Sequence, residues 1–284
     1  MSNTDLANTD PANTDGATLD VGGVTIAYDD HGTGGQPMLL VHGMACDRHT
    51  MAGQLDHFGR TRRTVAYDQR GHGDSDKPLD ADYGPAALAD DAVAVIDALG
   101  LERPVVVGHS LGGSVALALA AGHPDKLGAL VLLDATLGFD DAGREGMAGF
   151  YDALDDTNFD RVLRGFVAER LVDGGDDPVA AARVTDVMTS CPVPVFVAMG
   201  RGLLDFDVPA AVAAVTVPTL YVASSRPWVD LADVHRARPD WYLGRTVAAG
   251  HFHNLLVADQ VNAMIDAFCA RVDAGYPAAE PSEF

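Results

Sequence analysis

The sequence predicts an α/β protein, a mostly parallel β-sheet flanked by helices and carrying a helical insertion. Three observations carry this. Short apolar or β-branched runs, such as Met38–Val41, Thr64–Tyr67 and Leu130–Leu133, alternate with stretches of helical spacing. A glycine-flanked serine, Ser110, stands where one such run passes into a helix. One long interval, residues 136–217, breaks the alternation with about four helix-like pieces, near Arg144–Leu154, Phe159–Leu171, Val179–Thr189 and Val195–Leu204.

The chain has 284 residues, longer than a typical single domain and short for two, so one domain with an insertion is expected. Hydrophobic residues make up 48% and charged residues 21%, a globular composition. The net charge of −22 repels phosphate backbones and anionic lipid, and so argues against nucleic-acid and membrane-surface partners. Cys46, Cys191 and Cys269 are odd in number and far apart, with neither metal-ligand nor disulfide spacing, and are read as reduced thiols. Apolar runs stop well short of a bilayer span, and no Lys or Arg precedes Arg48 to form a signal-peptide n-region. A cytoplasmic protein is expected.

Residues 1–18 contain Asn-Thr-Asp three times at a period of five and are expected to be a disordered tail. Val24–Tyr28, Met38–Val41 and Thr64–Tyr67 read as strands. Pro85–Leu99 is helical, with Leu88, Ala92, Val95, Ile96 and Leu99 on one face and Gly100 to close it. Strand Val105–Val107, helix Leu111–Ala121 and strand Leu130–Leu133 follow. After the interval come strand Leu220–Ala223, a strand around Thr246–Ala248, and a last helix with Val261, Met264, Ile265 and Phe268 on one face. The core is therefore assigned to residues 19–135 and 218–273, and 274–284 to a frayed C-terminal tail. The interval is rich in bulky apolar residues, among them Phe150, Tyr151, Phe166 and Phe196, and reads either as a lid over a binding pocket or as a plain structural subdomain.

The strongest chemical signal is Gly108-His109-Ser110-Leu111-Gly112, between a strand and a helix. A G-x-S-x-G nucleophile elbow requires that context: the chain turns sharply and presents the serine at the helix N-terminus. Further signals sit after other strands. They are His42-Gly43-Met44, the stretch Asp68-Gln69-Arg70-Gly71-His72-Gly73-Asp74-Ser75, and Gly250-His251-Phe252-His253.

Together these motifs, in this order from about Val21 to Val272, resemble the α/β-hydrolase family. The resemblance implies an α/β-hydrolase fold with a helical cap. It implies Ser110 as nucleophile and His251 as general base, with His253 the rival two residues on. The backbone N–H groups of Met44 and Leu111 would form the oxyanion hole, where charge collects as the serine attacks. His42 and the Asp68–Ser75 stretch take scaffold roles. The family usually keeps the acid of its triad after the strand read here as Leu220–Ala223, where this chain has Ser224-Ser225-Arg226-Pro227. Two candidates remain. Asp230 is near that position, but past Pro227 and Trp228 and suited to opening a helix. Asp134 ends the strand Leu130–Leu133, one helix and one strand after Ser110, which returns the chain to the same sheet edge. Asp134 is preferred. That acid position is similar to the one in zearalenone-type lactonases and in some haloalkane dehalogenases.

The reading is a serine hydrolase acting on a carboxylic ester or lactone of a hydrophobic small molecule through an acyl-serine. Alternatives are a C–C bond hydrolase, a cofactor-free peroxidase, and a non-hydrolytic ligand-binding or biosynthetic protein on the same fold. No glycine-rich phosphate loop and no metal-ligand spacing occur, so no cofactor and no metal are expected.

Overall fold

The computed structural model describes residues 13–275. The strands are β1 Thr14–Val21, β2 Val24–His31, β3 Met38–Val41, β4 Thr64–Tyr67, β5 Val105–His109, β6 Ala129–Leu133, β7 Thr219–Ala223 and β8 Tyr242–Arg245. They form one sheet in the order β1-β2-β4-β3-β5-β6-β7-β8. β1 and β2 run antiparallel to their neighbours, and β3 through β8 are mutually parallel.

The helices are α1 Ala52–Phe58, α2 Pro85–Leu99, α3 Leu111–Gly122, α4 Asp141–Asp152, α5 Phe159–Phe166, α6 Pro178–Thr189, α7 Val193–Asp205, α8 Val208–Ala214, α9 Leu231–Ala237, α10 His253–Leu256 and α11 Ala258–Asp273. Among the described residues, no single helix is long and apolar enough to cross a membrane.

The apolar strand runs are continuous because both sheet faces are covered. Side chains alternate between them. Leu39, Val41, Val106, Leu130 and Leu132 join the core under α2 and α3. Met38, Leu40, Val105, Val107 and Val131 join a second core with Leu55 and Phe58 of α1 and Ile265 and Phe268 of α11. Helix α2 starts with Pro85 at its first position and stops at Gly100, whose φ of 62° continues no helix.

The helical insertion α4–α8 lies between β6 and β7. Asp140, Asp177 and Asp207 cap α4, α6 and α8 by accepting from Gly143, Val179 and Ala210 N–H. The chain leaves β3 toward β4 on one side and returns through β5 on the other. The loops after β3 and β5 therefore diverge and open a crevice at the carboxyl ends of the strands.

Three expectations need correction. The N-terminal tail was expected through residue 18, but residues 14–21 form β1, paired with β2 from Thr14↔Asp30 to Val21↔Val24. Its polar composition is that of an edge strand, half exposed, and Asp29 anchors it by accepting from Gly16 N–H at 2.7 Å. Residues 1–12 and 276–284 lie outside the described residues. The last strand was expected around Thr246–Ala248, but β8 runs over Tyr242–Arg245, because Leu220 to Ala223 of β7 pair with those residues. Val247 is exposed and Ala248 has φ 58°, outside strand geometry. Finally, the helix expected over Phe159–Leu171 holds α-geometry only to Phe166 and ends in a π-helical turn, Val167–Leu171.

Candidate active site

Ser110 sits between β5 and α3 with φ 54° and ψ −119°, a conformation that costs a non-glycine residue. The turn is tight enough that a Cβ at Gly108 would overlap the Gly112 carbonyl, and one at Gly112 the carbonyls of Val41 and His42. Ser110 N–H is held by Leu133 O at 3.0 Å, which ties the turn to β6. Positive φ recurs among nearby non-glycine residues, at Ala45 (56°), Asp134 (45°) and Ala248 (58°), each following a strand end or its loop.

The N–H groups of Met44 and Leu111 donate to no acceptor among the described residues. Both residues line the same cavity as Ser110. Leu111 is the first residue of α3, where an N–H has no partner in its own helix. The loop bearing Met44 is fixed by His42. Its Nδ1 lies 2.8 Å from Gly43 O, while its Nε2 accepts Gln69 N–H at 3.1 Å. That pattern fits one neutral tautomer, Nδ1–H. Burial keeps the ring neutral, with its pKa lowered to about 4. Because the peptide is planar and trans, holding Gly43 O on one side aims Met44 N–H to the other.

Asp134 and His251 are brought together. Asp134 Oδ2 lies 2.8 Å from His251 Nδ1, and Asp134 Oδ1 accepts Ser224 N–H at 3.1 Å. Asp134 is fully buried. Burial pushes its carboxyl pKa up, but the hydrogen bond and charge of His251, helped by Ser224 N–H, outweigh this and hold it below the usual carboxylate value. The carboxylate takes the Nδ1 hydrogen, which leaves the lone pair on Nε2. Trp228 Nε1 lies 3.2 Å from the same Nδ1. With that nitrogen protonated toward Asp134, the indole packs against the ring edge and gains no hydrogen bond there.

His251 lines the cavity with Ser110, and no hydrogen bond joins Ser110 Oγ to its ring among the described residues. Such contacts often tighten only when substrate is bound. His253 is turned away, buried with Nδ1 3.0 Å from Thr246 Oγ1. Asp230 is exposed and caps α9 through Ala232 N–H at 2.8 Å, with no contact to His251.

The Asp68–Ser75 stretch is scaffold. Asp68 accepts from Arg48 N, Arg48 Nη1 and Asp74 N, and Ser75 Oγ accepts Ala27 N–H. Two further features carry no sequence motif of their own. His109, inside the elbow, lies with Nε2 2.9 Å from His251 O and so fixes the loop of the neighbouring histidine. The insertion reaches the same loop, with His251 N–H donating to Leu171 O at 2.8 Å and Gly250 N–H to Asp176 Oδ1 at 3.0 Å.

The cavity holds about 640 Å³ of space free of protein atoms, the open solvent at its mouth included. Its far walls come largely from the insertion: Phe139, Met147, Phe150, Tyr151, Phe166, Met188 and Phe196. No Lys, Arg, Asp or Glu is among the residues lining it.

Comparison with known proteins places this architecture. Residues 36–186 match the family model of the alpha/beta hydrolase fold. A putative carbamate hydrolase, RutD, of Variovorax paradoxus is 31% identical over 274 residues, covering 88% of this chain and 98% of that protein. A 2-hydroxymuconate semialdehyde hydrolase of Pseudomonas putida is 38% identical over 141 residues, but the match spans only 48% of this chain and 49% of that relative. Among solved structures, a thermophilic esterase from Thermogutta terrifontis superposes with a TM-score of 0.79 at 24% identity, over 92% of this chain and 98% of that one. The sheet order, the strand-to-helix serine turn and these matches agree: the chain belongs to the α/β-hydrolase fold family.

Proposed function

We propose that this protein is a serine hydrolase that cleaves a carboxylic ester or lactone of an uncharged, hydrophobic small molecule. The observation that carries the reading is a convergence on one cavity: Ser110, His251 backed by Asp134, and the unengaged N–H groups of Met44 and Leu111. In this reading Asp134 orients His251 and stabilises its imidazolium. His251 Nε2 takes the proton of Ser110 Oγ as the oxygen attacks the carbonyl. The two N–H groups hold the oxyanion of the tetrahedral intermediate. Collapse breaks the bond to the leaving oxygen, which takes the proton from His251 and departs as the alcohol. For a lactone that alcohol stays tethered to the acyl group. Water, deprotonated by His251, then releases the acid and restores Ser110. The insertion acts as a cap that supplies the apolar walls.

The lining favours an uncharged substrate, because a carboxylate entering this cavity loses hydration with no cation to receive it. Relatives named for carbamate and semialdehyde hydrolysis give a second reading, in which the same groups attack a carbamate or cleave a C–C bond. A fluorophosphonate probe should label Ser110, and p-nitrophenyl butyrate should turn over. Labelling that persists in Ser110→Ala would sink the assignment.

A further inference from the structure

Tyr151 lies in α4 and is 4% exposed, with its exposed edge in the cavity that Ser110 and His251 line. Its position is built. The ring lies against Gly200 of α7 so closely that a Cβ there would overlap it. Phe196 and Phe150 flank it, with ring centroids 6.0 and 5.4 Å away. Its hydroxyl makes no hydrogen bond to protein among the described residues, yet it is not sealed in the core, because the residue lines the open cavity. Burial alone acts on it and holds its pKa above the ordinary phenol value. Thr136, two residues after Asp134, lines the same cavity, and its hydroxyl also lacks a partner among the described residues.

A hydroxyl that lines a cavity without a protein partner is left to water or to a bound molecule, whereas a phenylalanine would fill the same space with no polar group to satisfy. Apart from Thr136, every other side chain from the insertion in this wall is apolar. A phenol remains protonated here and donates a hydrogen bond. Its complement is an uncharged oxygen, because a carboxylate would also need a cation and the lining has none.

We propose that Tyr151 is a specificity-determining residue that donates a hydrogen bond to a second, uncharged oxygen of the substrate, remote from the scissile carbonyl. The substrate class is then an oxygenated apolar ester or lactone, one bearing a keto, hydroxyl or ether oxygen on an otherwise hydrocarbon frame. This inference rests on the ester or lactone reading of the site.

The test uses aryl esters and lactones whose chains carry an oxo or hydroxyl group at successive carbons, each paired with its deoxy parent. Wild-type protein should prefer the oxygenated member at one position by at least about tenfold in kcat/KM, the size of one hydrogen bond. Tyr151→Phe should lower that preference by about the same factor, and its Tm should hold, because no hydrogen bond within the protein has been removed. Absence of any preference in wild type, or a preference that survives Tyr151→Phe, overturns the proposal. If wild type turns over none of the parents, the ester reading falls and this inference with it. If the parents turn over with no effect of the oxygen, only this inference falls.

Discussion

Asp134 Oδ2 lies 2.8 Å from His251 Nδ1, joining the end of β6 to the loop after β8 across 117 residues of sequence. The carboxylate beside His251 therefore stands one strand away from the position after β7 that Ser224-Ser225-Arg226-Pro227 leaves without one. The register allows this. Leu133, the last residue of β6, pairs with both His109 and Val222, so Asp134 emerges level with Ser110 at the carboxyl edge. Asp134→Asn should lower kcat by up to about 10⁴, since an amide no longer fixes the Nδ1–H tautomer. Asp230→Asn should stay within several-fold of wild type and cost at most about 1 kcal/mol of stability, the worth of a helix cap. Kinetics of both variants with p-nitrophenyl butyrate decide it, and the reverse ranking would remove Asp134 from the site.

The insertion is tied to the loop that carries His251 by both backbone and side-chain hydrogen bonds. Leu171 O accepts His251 N–H, Asp176 accepts Gly250 N–H, and Asp173 Oδ2 lies 2.9 Å from Ser225 Oγ. A Cβ at Gly250 would come within 2.6 Å of Leu171 O. Gly250→Ala must therefore push the insertion and the histidine loop apart. A small misplacement of a catalytic group can cost up to about 10²-fold. We expect Gly250→Ala to lower kcat by tenfold or more while far-UV circular dichroism stays unchanged. Wild-type kcat in this variant would show that the strut carries no information to His251.

Arg48 is 5% exposed and surrounded by acid: Nε is 3.0 Å from Asp29 Oδ2, and Nη1 is 2.5 Å from Asp68 Oδ2 and 2.9 Å from Asp74 Oδ2. It ties β2, the loop after β3 and the loop after β4 together. Removing the cation strands the fully buried Asp68 carboxylate, and breaking such a pair costs about 3–5 kcal/mol. Arg48→Met should therefore shift the urea midpoint markedly downward. Arg164→Met, which breaks exposed pairs to Asp160 and Asp186, should cost no more than about 1 kcal/mol. Equal midpoints for the two variants would contradict this weighting.

The parts that were legible in sequence are those whose signal is local. The buried strands β3 to β7 show as apolar runs, and Ser110 shows as a glycine-flanked serine between strand and helix, because both patterns arise within a dozen residues. β1 was hidden because an edge strand needs no apolar run, only a partner, and its partner supplies Asp29 as an anchor. β8 was displaced because β-branched Thr246-Val247 looked more strand-like than Tyr242–Arg245, while pairing with β7 decided the register. Tyr151, Trp228 and the Leu171–His251 tie were illegible for another reason. Each acquires its meaning from a contact tens of residues away, and nothing in its own neighbourhood marks it. The aromatic density between Phe139 and Phe196 was the available signal, and it pointed to the wall without singling out a residue.

Acid stability should be set by buried histidines. His42 and His253 are held at about 4 and His72 at about 3, and His109 is held well below the ordinary value, in each case chiefly by burial. The sign follows from proton counts. Above pH 6.5 both the folded and unfolded chains carry these rings neutral, so their contribution to stability is fully present. Between 6.5 and the folded pKa values only the unfolded chain binds the protons, so stability is lost as pH falls through that window. Four such groups give a slope approaching about 5 kcal/mol per pH unit once the unfolded rings are fully protonated. Total stability is typically about 5–15 kcal/mol. Falling pH also relieves the self-repulsion of a −22 chain, but that relief comes mainly below pH 5, where carboxylates titrate. The protein should therefore unfold near pH 5. Urea midpoints at pH 7.5, 6.5 and 5.5 should fall in that order, with most of the drop between the last two, and a flat profile across that range would show that the buried rings are not held neutral.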